Sequence, residues 1–233
     1  MKKLLSLVLA VLMLAATLCA CTGPADDGSK TPEQPEGPEV IDVNAALADE
    51  SKWEFDCEDV AIKDGKLVFD TVDYGSFAAA MLKQPAKNAT WKFTVTVNSL
   101  GDGVVGHSDW WDAELLFLAR SSVAGPGWRD DGSQTGYSIT SWGEMKEVCI
   151  GRAGKDDLAT FEWNIADGQP HEIELSVVSN EDDSVVTITL KVDGQVIGTV
   201  EDDGSEIKND RPASYPDAGN LTIRAKWVAI TIG

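Results

Sequence analysis

The chain has 233 residues, enough for one sizeable domain or two small ones, and its 43% hydrophobic content is enough to pack a core. Acidic residues outnumber basic ones 39 to 19, a net charge of −20. That balance excludes a nucleic-acid-binding surface and electrostatic docking on an anionic bilayer, since both need a basic face. The acidity reads as solubility, with calcium binding as the sharper alternative, because that ion takes clustered oxygen ligands.

Residues 1–20 form a targeting segment. Lys2 and Lys3 supply a positive start, and Leu4 to Leu18 an apolar run too short for a comfortable membrane-spanning helix. The segment ends Leu18-Cys19-Ala20-Cys21, which resembles the bacterial lipobox: Leu at −3, a small residue at −1, then Cys. The resemblance implies cleavage before Cys21, lipidation of its sulfur, and a chain held by acyl groups on the extracytoplasmic face of a bacterial cell membrane. Each buried methylene would contribute ~0.8 kcal/mol to that anchoring. An ordinary secretory signal is the alternative. Residues 21–40 carry Pro24, Pro32, Pro35 and Pro38 with almost nothing apolar, a composition that stays solvated and semi-extended as a tether.

From residue 41 the chain breaks into short strands and turns. Val43–Glu50 is the one helical segment, of one or two turns. Strands are expected over Trp53–Cys57, Val60–Ile62, Leu67–Thr71, Phe77–Lys83, Trp91–Val97, Glu114–Ser121, Tyr137–Trp142, Val148–Arg152, Thr160–Ile165 and Leu221–Ile232. The clearest stretch is Asp167–Val200. There His171, Ile173, Leu175 and Val177 alternate with Glu172, Glu174 and Ser176, and Val186, Ile188, Leu190 and Val192 repeat the pattern. Asp193-Gly194 and Asp64-Gly65 are two-residue hairpin signals, because a type I′ turn needs positive φ at both central positions. Many strands without alternating helices predict a single antiparallel β-sandwich over residues 41–233.

The Asp167-Gly-Gln-Pro-His171 turn, the alternating strand and the Val192-Asp-Gly194 hairpin resemble laminin-G-like and concanavalin A-like lectin/glucanase domains, with Pro170 where those families usually carry Trp. Trp53, Asp64-Gly65, Leu67 and the closing strand resemble secreted jelly-roll domains of the keto-disaccharide-hydrolase-like group. Both resemblances imply an all-β, antiparallel jelly roll of two sheets.

Three constellations bear on function. Glu54-Phe-Asp56-Cys-Glu58 would place three carboxylates about 7 Å apart on one strand face, as in retaining glycosidases of this fold. Its position on the first strand after the tether fits a solvated edge better than a catalytic centre. The second constellation is Trp-rich. Trp110, Trp111, Trp128 and Trp142 fall close together among Asp, Glu114, Arg120 and Arg129. Flat aromatic faces stack on the apolar face of a pyranose, while carboxylates and Arg bond its hydroxyls. In the resembling lectin-like domains the strand equivalent to Glu114–Ser121 ends in an Arg on the concave face, and Arg120 matches that place. Trp91 and Trp163 read as core. The third comprises the acidic turns at Asp130-Asp131, Glu181–Asp183 and Glu201–Asp203, none spaced as a defined calcium loop.

His171 sits at a buried-side position, and no His or Cys has zinc-ligand spacing. Cys57 and Cys149 remain after Cys19 departs with the signal, with free thiols expected over a disulfide. The sequence thus predicts a lipid-anchored, monomeric surface protein that binds carbohydrate through Trp110, Trp111, Trp128, Trp142, Arg120 and Glu114. No resident cofactor is expected, with calcium the one candidate. A glycoside hydrolase or keto-glycoside-cleaving enzyme of the same fold and a non-catalytic protein-interaction module are the competing readings.

Overall fold

Period-2 alternation of buried and exposed residues runs through Ala89–Leu100, Pro170–Ser179 and Val186–Val192, whereas Phe77–Ala86, Glu114–Ser121, Tyr137–Trp142 and Glu147–Arg152 carry consecutive buried residues. The computed structural model describes residues 37–73, 76–101, 113–122, 125–126, 135–153, 156–205 and 215–233. They belong to one unit, Gly37–Gly233.

In chain order the described elements are β1 (Glu39–Asp42), α1 (Val43–Ala46), a 3₁₀ turn (Glu50–Lys52), β2 (Trp53–Phe55), β3 (Val60–Lys63), β4 (Lys66–Thr71), β5 (Phe77–Ala86), β6 (Ala89–Leu100), β7 (Glu114–Ser121) and β8 (Tyr137–Trp142). Then follow β9 (Glu147–Arg152), β10 (Asp156–Glu162), β11 (Pro170–Ser179), β12 (Val186–Val192), β13 (Gln195–Asp202), β14 (Gly219–Lys226) and β15 (Val228–Ile232). One sheet has the order β10-β9-β8-β7-β14-β5-β2 and the other β13-β12-β11-β6-β15-β4-β3, with β1 added against β6. Among the described residues every pairing is antiparallel except β1 with β6. The all-β sandwich expected from the sequence is the observed architecture.

The core fills the gap between the sheets. Phe93 of β6 and Phe117 of β7 meet across it with centroids 4.9 Å apart and planes inclined by 60°, a tilted geometry that the ring quadrupoles favour. Trp91 and Trp163 are buried as expected, and Trp163 Nε1 donates to Ser141 Oγ at 3.0 Å. Asp193 and Gly194 both have positive φ, as do Asp64 and Gly65, so both two-residue hairpins form as their sequences dictate. At one corner Tyr137 donates to Asp202 Oδ2 at 2.9 Å, and Arg152 Nε donates to the same oxygen at 3.0 Å.

Several boundaries differ from the sequence reading, among them the strand expected over Thr160–Ile165, which runs Asp156–Glu162. The expected tether ran to residue 40, but Glu39 and Val40 pair with Ala89 and Thr90 as the start of β1. Backbone pairing needs no apolar side chains, so composition does not reveal it. The segment read as helix to Glu50 stops at Ala46, capped at its start by Asp42. The closing strand is two strands, because Trp227 takes φ 54 and passes the chain from one sheet to the other.

Candidate functional site

The outer face of the seven-stranded sheet is built by register. Lys226 pairs with Phe77 on one side and Glu114 on the other, and Glu114 pairs with Trp142. Side chains at paired positions share a face, so Phe77, Lys226, Glu114 and Trp142 form one transverse row across β5, β14, β7 and β8. The next row is Ala79, Arg224, Leu116, Thr140 and Cys149, and the third is Met81, Thr222, Leu118, Ser138 and Gly151. Leu115, Phe117, Ile223 and Ala80 alternate with these and point into the core.

The first row has aromatic ends and a charged middle. Phe77 is 52% exposed and Trp142 44% exposed, two of the few large apolar side chains left open among the described residues. Three inter-strand steps separate them, about 14 Å. Between them Arg224 Nε stands 3.6 Å from Glu114 Oε1, and its guanidinium lies 5.7 Å from the Phe77 ring centroid. Lys226 Nζ lies 4.5 Å from the Trp227 ring. Beside the turn after Trp142, a cleft of about 440 Å³ is lined by Lys146, Glu147, Glu162, Trp163 and Asn164. Farther along the face, Ala79, Met81, Leu116, Leu118 and Cys149 are buried on the outward side. Burial pushes the Cys149 thiol up to about 12, so it stays protonated and unreactive. The open part of the face therefore offers two flat apolar platforms with an ion pair between them. That combination suits a ligand with alternating C–H and O–H faces.

The sequence-predicted contacts separate into three groups. Trp142 and Glu114 lie on this face, adjacent by register. Of the two aromatics on β8, Trp142 projects outward and Tyr137 is fully buried. Trp110, Trp111 and Trp128 lie outside the described residues. Arg120 is a correction. It is 1% exposed, adopts φ 55, and turns inward to the opposite sheet. Its guanidinium donates to Lys87 O (2.6 Å), Ser179 Oγ (3.1 Å), Tyr215 O (2.9 Å), Asn88 Oδ1 (3.2 Å) and Val177 O (3.4 Å). A side chain so engaged ties the two sheets together, and contact with a ligand on the outer face is closed to it.

The carboxylate series does not line one strand face either. β2 ends at Phe55 on the edge of the sheet. Asp56 lies beyond it and accepts from Ala79 N at 2.7 Å, while Glu58 sits in the following turn. Glu54 is exposed, opposite Met81, four strands across and two rows along from Trp142, about 23 Å away. Cys57 is exposed and Cys149 buried, and both are free thiols. Their strands lie about five steps apart in one sheet, far beyond disulfide reach.

Among the described residues no group of three or more His, Cys, Asp or Glu gathers to hold a metal ion. Of the acidic turns, Asp130-Asp131 lies outside the described residues, and in the other two the aspartates Asp182, Asp183 and Asp203 have local partners. Asp182 accepts from Ser184 Oγ (2.6 Å), Asp183 pairs with Lys87 (2.6 Å), and Asp203 accepts from Ser205 N (2.9 Å). His171 has the inward parity expected. It stands at the strand's start between two carboxylates, Asp193 Oδ2 at 2.8 Å and Asp167 Oδ1 at 3.0 Å. Phe77, Arg224 and Lys226 escaped the sequence reading. The alternation of Asn220, Thr222, Arg224 and Lys226 with Leu221, Ile223 and Ala225 carries the signal for β14, but only pairing places Phe77 beside it.

No protein-family model matches the chain, and no curated protein matches it. Solved structures do. The potassium-bound carbohydrate recognition domain of Emp46p superposes with a TM-score of 0.53 at 15% identity, covering 80% of this chain and 88% of that one. Winged bean acidic lectin complexed with methyl-α-D-galactose gives 0.51 at 11% identity, with 79% and 90% covered. Lotus tetragonolobus seed lectin gives 0.51 at 14% identity, with 79% and 91% covered. At these identities the likeness concerns architecture alone: the fold of this chain is a concanavalin A-like jelly-roll β-sandwich.

Proposed function

We propose that this protein is a surface-tethered lipoprotein that binds carbohydrate on the outer face of its seven-stranded sheet. The observation that carries the reading is the row Phe77–Lys226–Glu114–Trp142, two open aromatic rings on one sheet face with charged groups between them. Trp142 and Phe77 stack on sugar C–H faces, while Arg224 and Glu114 bond hydroxyls. Trp110, Trp111 and Trp128 remain proposed contacts from the sequence. That the similar structures are named as lectins and a carbohydrate recognition domain supports the ligand class.

The proposed role is glycan capture or adhesion on the extracytoplasmic face of a bacterial membrane, anchored through lipidated Cys21. Glu39 N donates to Asn88 O, so the described chain begins at the end of the sandwich where β5 finishes. Phe77 starts β5, ten residues or about 30 Å toward the other end.

The test is a glycan array probed with the full-length chain and with Trp142→Ala. Binding that weakens at least about tenfold in the variant supports the reading. An array blank for the unaltered chain counts against it. Replacing Cys21 by Ser should move the protein from the membrane fraction to the soluble one, and retention on the membrane would refute the anchor.

A further inference from the structure

Around Asn220 both neighbours of β14 fall out of step with it. On one side Asn220 pairs with Ser121 and Thr222 with Leu118, so β7 supplies Ala119 and Arg120 where β14 supplies only Leu221. On the other, Gly219 pairs with Ala86 and Leu221 with Leu82, so β5 supplies Lys83, Gln84 and Pro85 where β14 supplies only Asn220. A bulge bends its strand and re-aims the side chains beside it, and bulges concentrate next to functional sites. Here two flank one residue.

This geometry is locked in place. A Cβ on Gly219 would lie 2.3 Å from the Arg120 carbonyl carbon, and one on Gly136, at φ +123, would lie 2.5 Å from Ala119 O. The Arg120 side chain is held by five acceptors on the far side.

At this place three oxygens, Ser121 Oγ, Asn220 Oδ1 and Thr222 Oγ1, are buried without a hydrogen-bond partner. Ser121 is 1% and Thr222 3% exposed. Ser121 and Asn220 are directly opposed, about 5 Å apart at Cβ, and Thr222 is the next residue along the same face, about 7 Å on. Asn220 Nδ2 donates to Met81 Sδ at 3.5 Å, which leaves the amide oxygen as an acceptor. Buried polar groups in folded proteins are almost always satisfied, so an adjacent trio that is not implies a missing guest. The chemistry of the guest follows from the donors. All three groups are neutral, so a cation would find no carboxylate and an anion would meet the amide lone pairs. A hydroxyl both donates to Asn220 and accepts from Ser121 or Thr222.

We propose that Ser121, Asn220 and Thr222 form a binding site for one hydroxyl group, supplied either by an enclosed water or by a glycan on the outer face. The second source rests on the carbohydrate reading above.

Thr222→Val keeps the shape and removes the hydroxyl, and Ser121→Ala does the same for its partner. Melting temperature without ligand, and affinity for a panel of neutral gluco-, manno-, galacto- and xylo-oligosaccharides, are measured on the full chain with Trp142→Ala alongside. If water fills the site, both variants melt about 2–4 °C lower and any glycan affinity is unchanged. If a sugar hydroxyl fills it, Thr222→Val melts at the same temperature or higher, because a group unpaired in the free protein is gone, while affinity falls about tenfold. Melting temperature unchanged or raised, with affinity equal to that of the unaltered chain, overturns the proposal. If no oligosaccharide binds any form, the carbohydrate reading fails, and melting alone decides: a fall supports the site and no fall overturns it.

Discussion

A guanidinium with 1% exposure is tolerable in this sandwich because five oxygens receive its N–H groups. Removing Arg120 leaves the carbonyls of Lys87, Val177 and Tyr215 short of a donor between the two sheets. Arg120→Met should therefore destabilise the domain by about 1–3 kcal/mol, the cost of leaving buried acceptors unpaired, read as a lower urea midpoint. A loss below about 1 kcal/mol would show that the neighbouring carbonyls find water instead. Trp142 presents the opposite case. It is nearly half exposed, so its replacement should cost little stability and act on the proposed glycan binding. Arg120 was placed beside Trp142 by the resemblance to lectin-like strands that end in an Arg, and such a match in sequence position holds in space only while the strand stays regular. The extra residue at Ala119–Arg120 turns Arg120 inward, and nothing in the local sequence announces it. Glu114 and Trp142, on regular stretches, pair on one face.

At the scale of elements, hairpins were the most legible part of the fold and strand partners the least. Asp193-Gly194 has a local cause in backbone conformation, whereas the pairing of Phe77 with Lys226 joins residues far apart in sequence. The Asp193 turn also carries a pH-dependent clamp. Both ring nitrogens of His171 face carboxylate oxygens, and the neighbouring strand presents only Val95 opposite it. Partial burial pulls the His171 pKa down, but hydrogen bonds to Asp193 and Asp167 outweigh it and raise it above 6.5. The clamp's contribution is thus fully present below pH 6.5 and is lost as pH rises through the raised value. Hydrogen bonds from His171 hold Asp193 below its ordinary 3.8, so that carboxylate's share fails only in acid. Amide exchange at Glu172, whose N–H donates to Asp193 Oδ1, should quicken above neutrality beyond the ordinary base-catalysed rise. In His171→Ala that excess should vanish, and an equal excess in both proteins would refute the clamp. Gly219 tests the bulge in the same way. A methyl group there meets backbone that cannot yield, so Gly219→Ala should cost about 3 kcal/mol in thermal or urea unfolding.

For the whole molecule, the jelly roll is a scaffold that orients. It sets the first described residues at one end and an aromatic, charged row about 30 Å toward the other. The chain's net charge of −20 keeps the surface soluble and repels like copies. The architecture was readable from strand spacing and turn chemistry, because those are properties of local sequence. The proposed site was readable in part: Trp142 and Glu114 were named from the sequence, Trp110, Trp111 and Trp128 lie outside the described residues, and Phe77 joins the row only through pairing. The account's central claim is that the face bearing Trp142 and Phe77 holds a glycan. Its most direct test is isothermal titration of an array-selected oligosaccharide into the full chain, Trp142→Ala and Phe77→Ala. The account predicts at least about tenfold weaker binding in each variant with unchanged melting temperature. Equal affinity in all three proteins would contradict it.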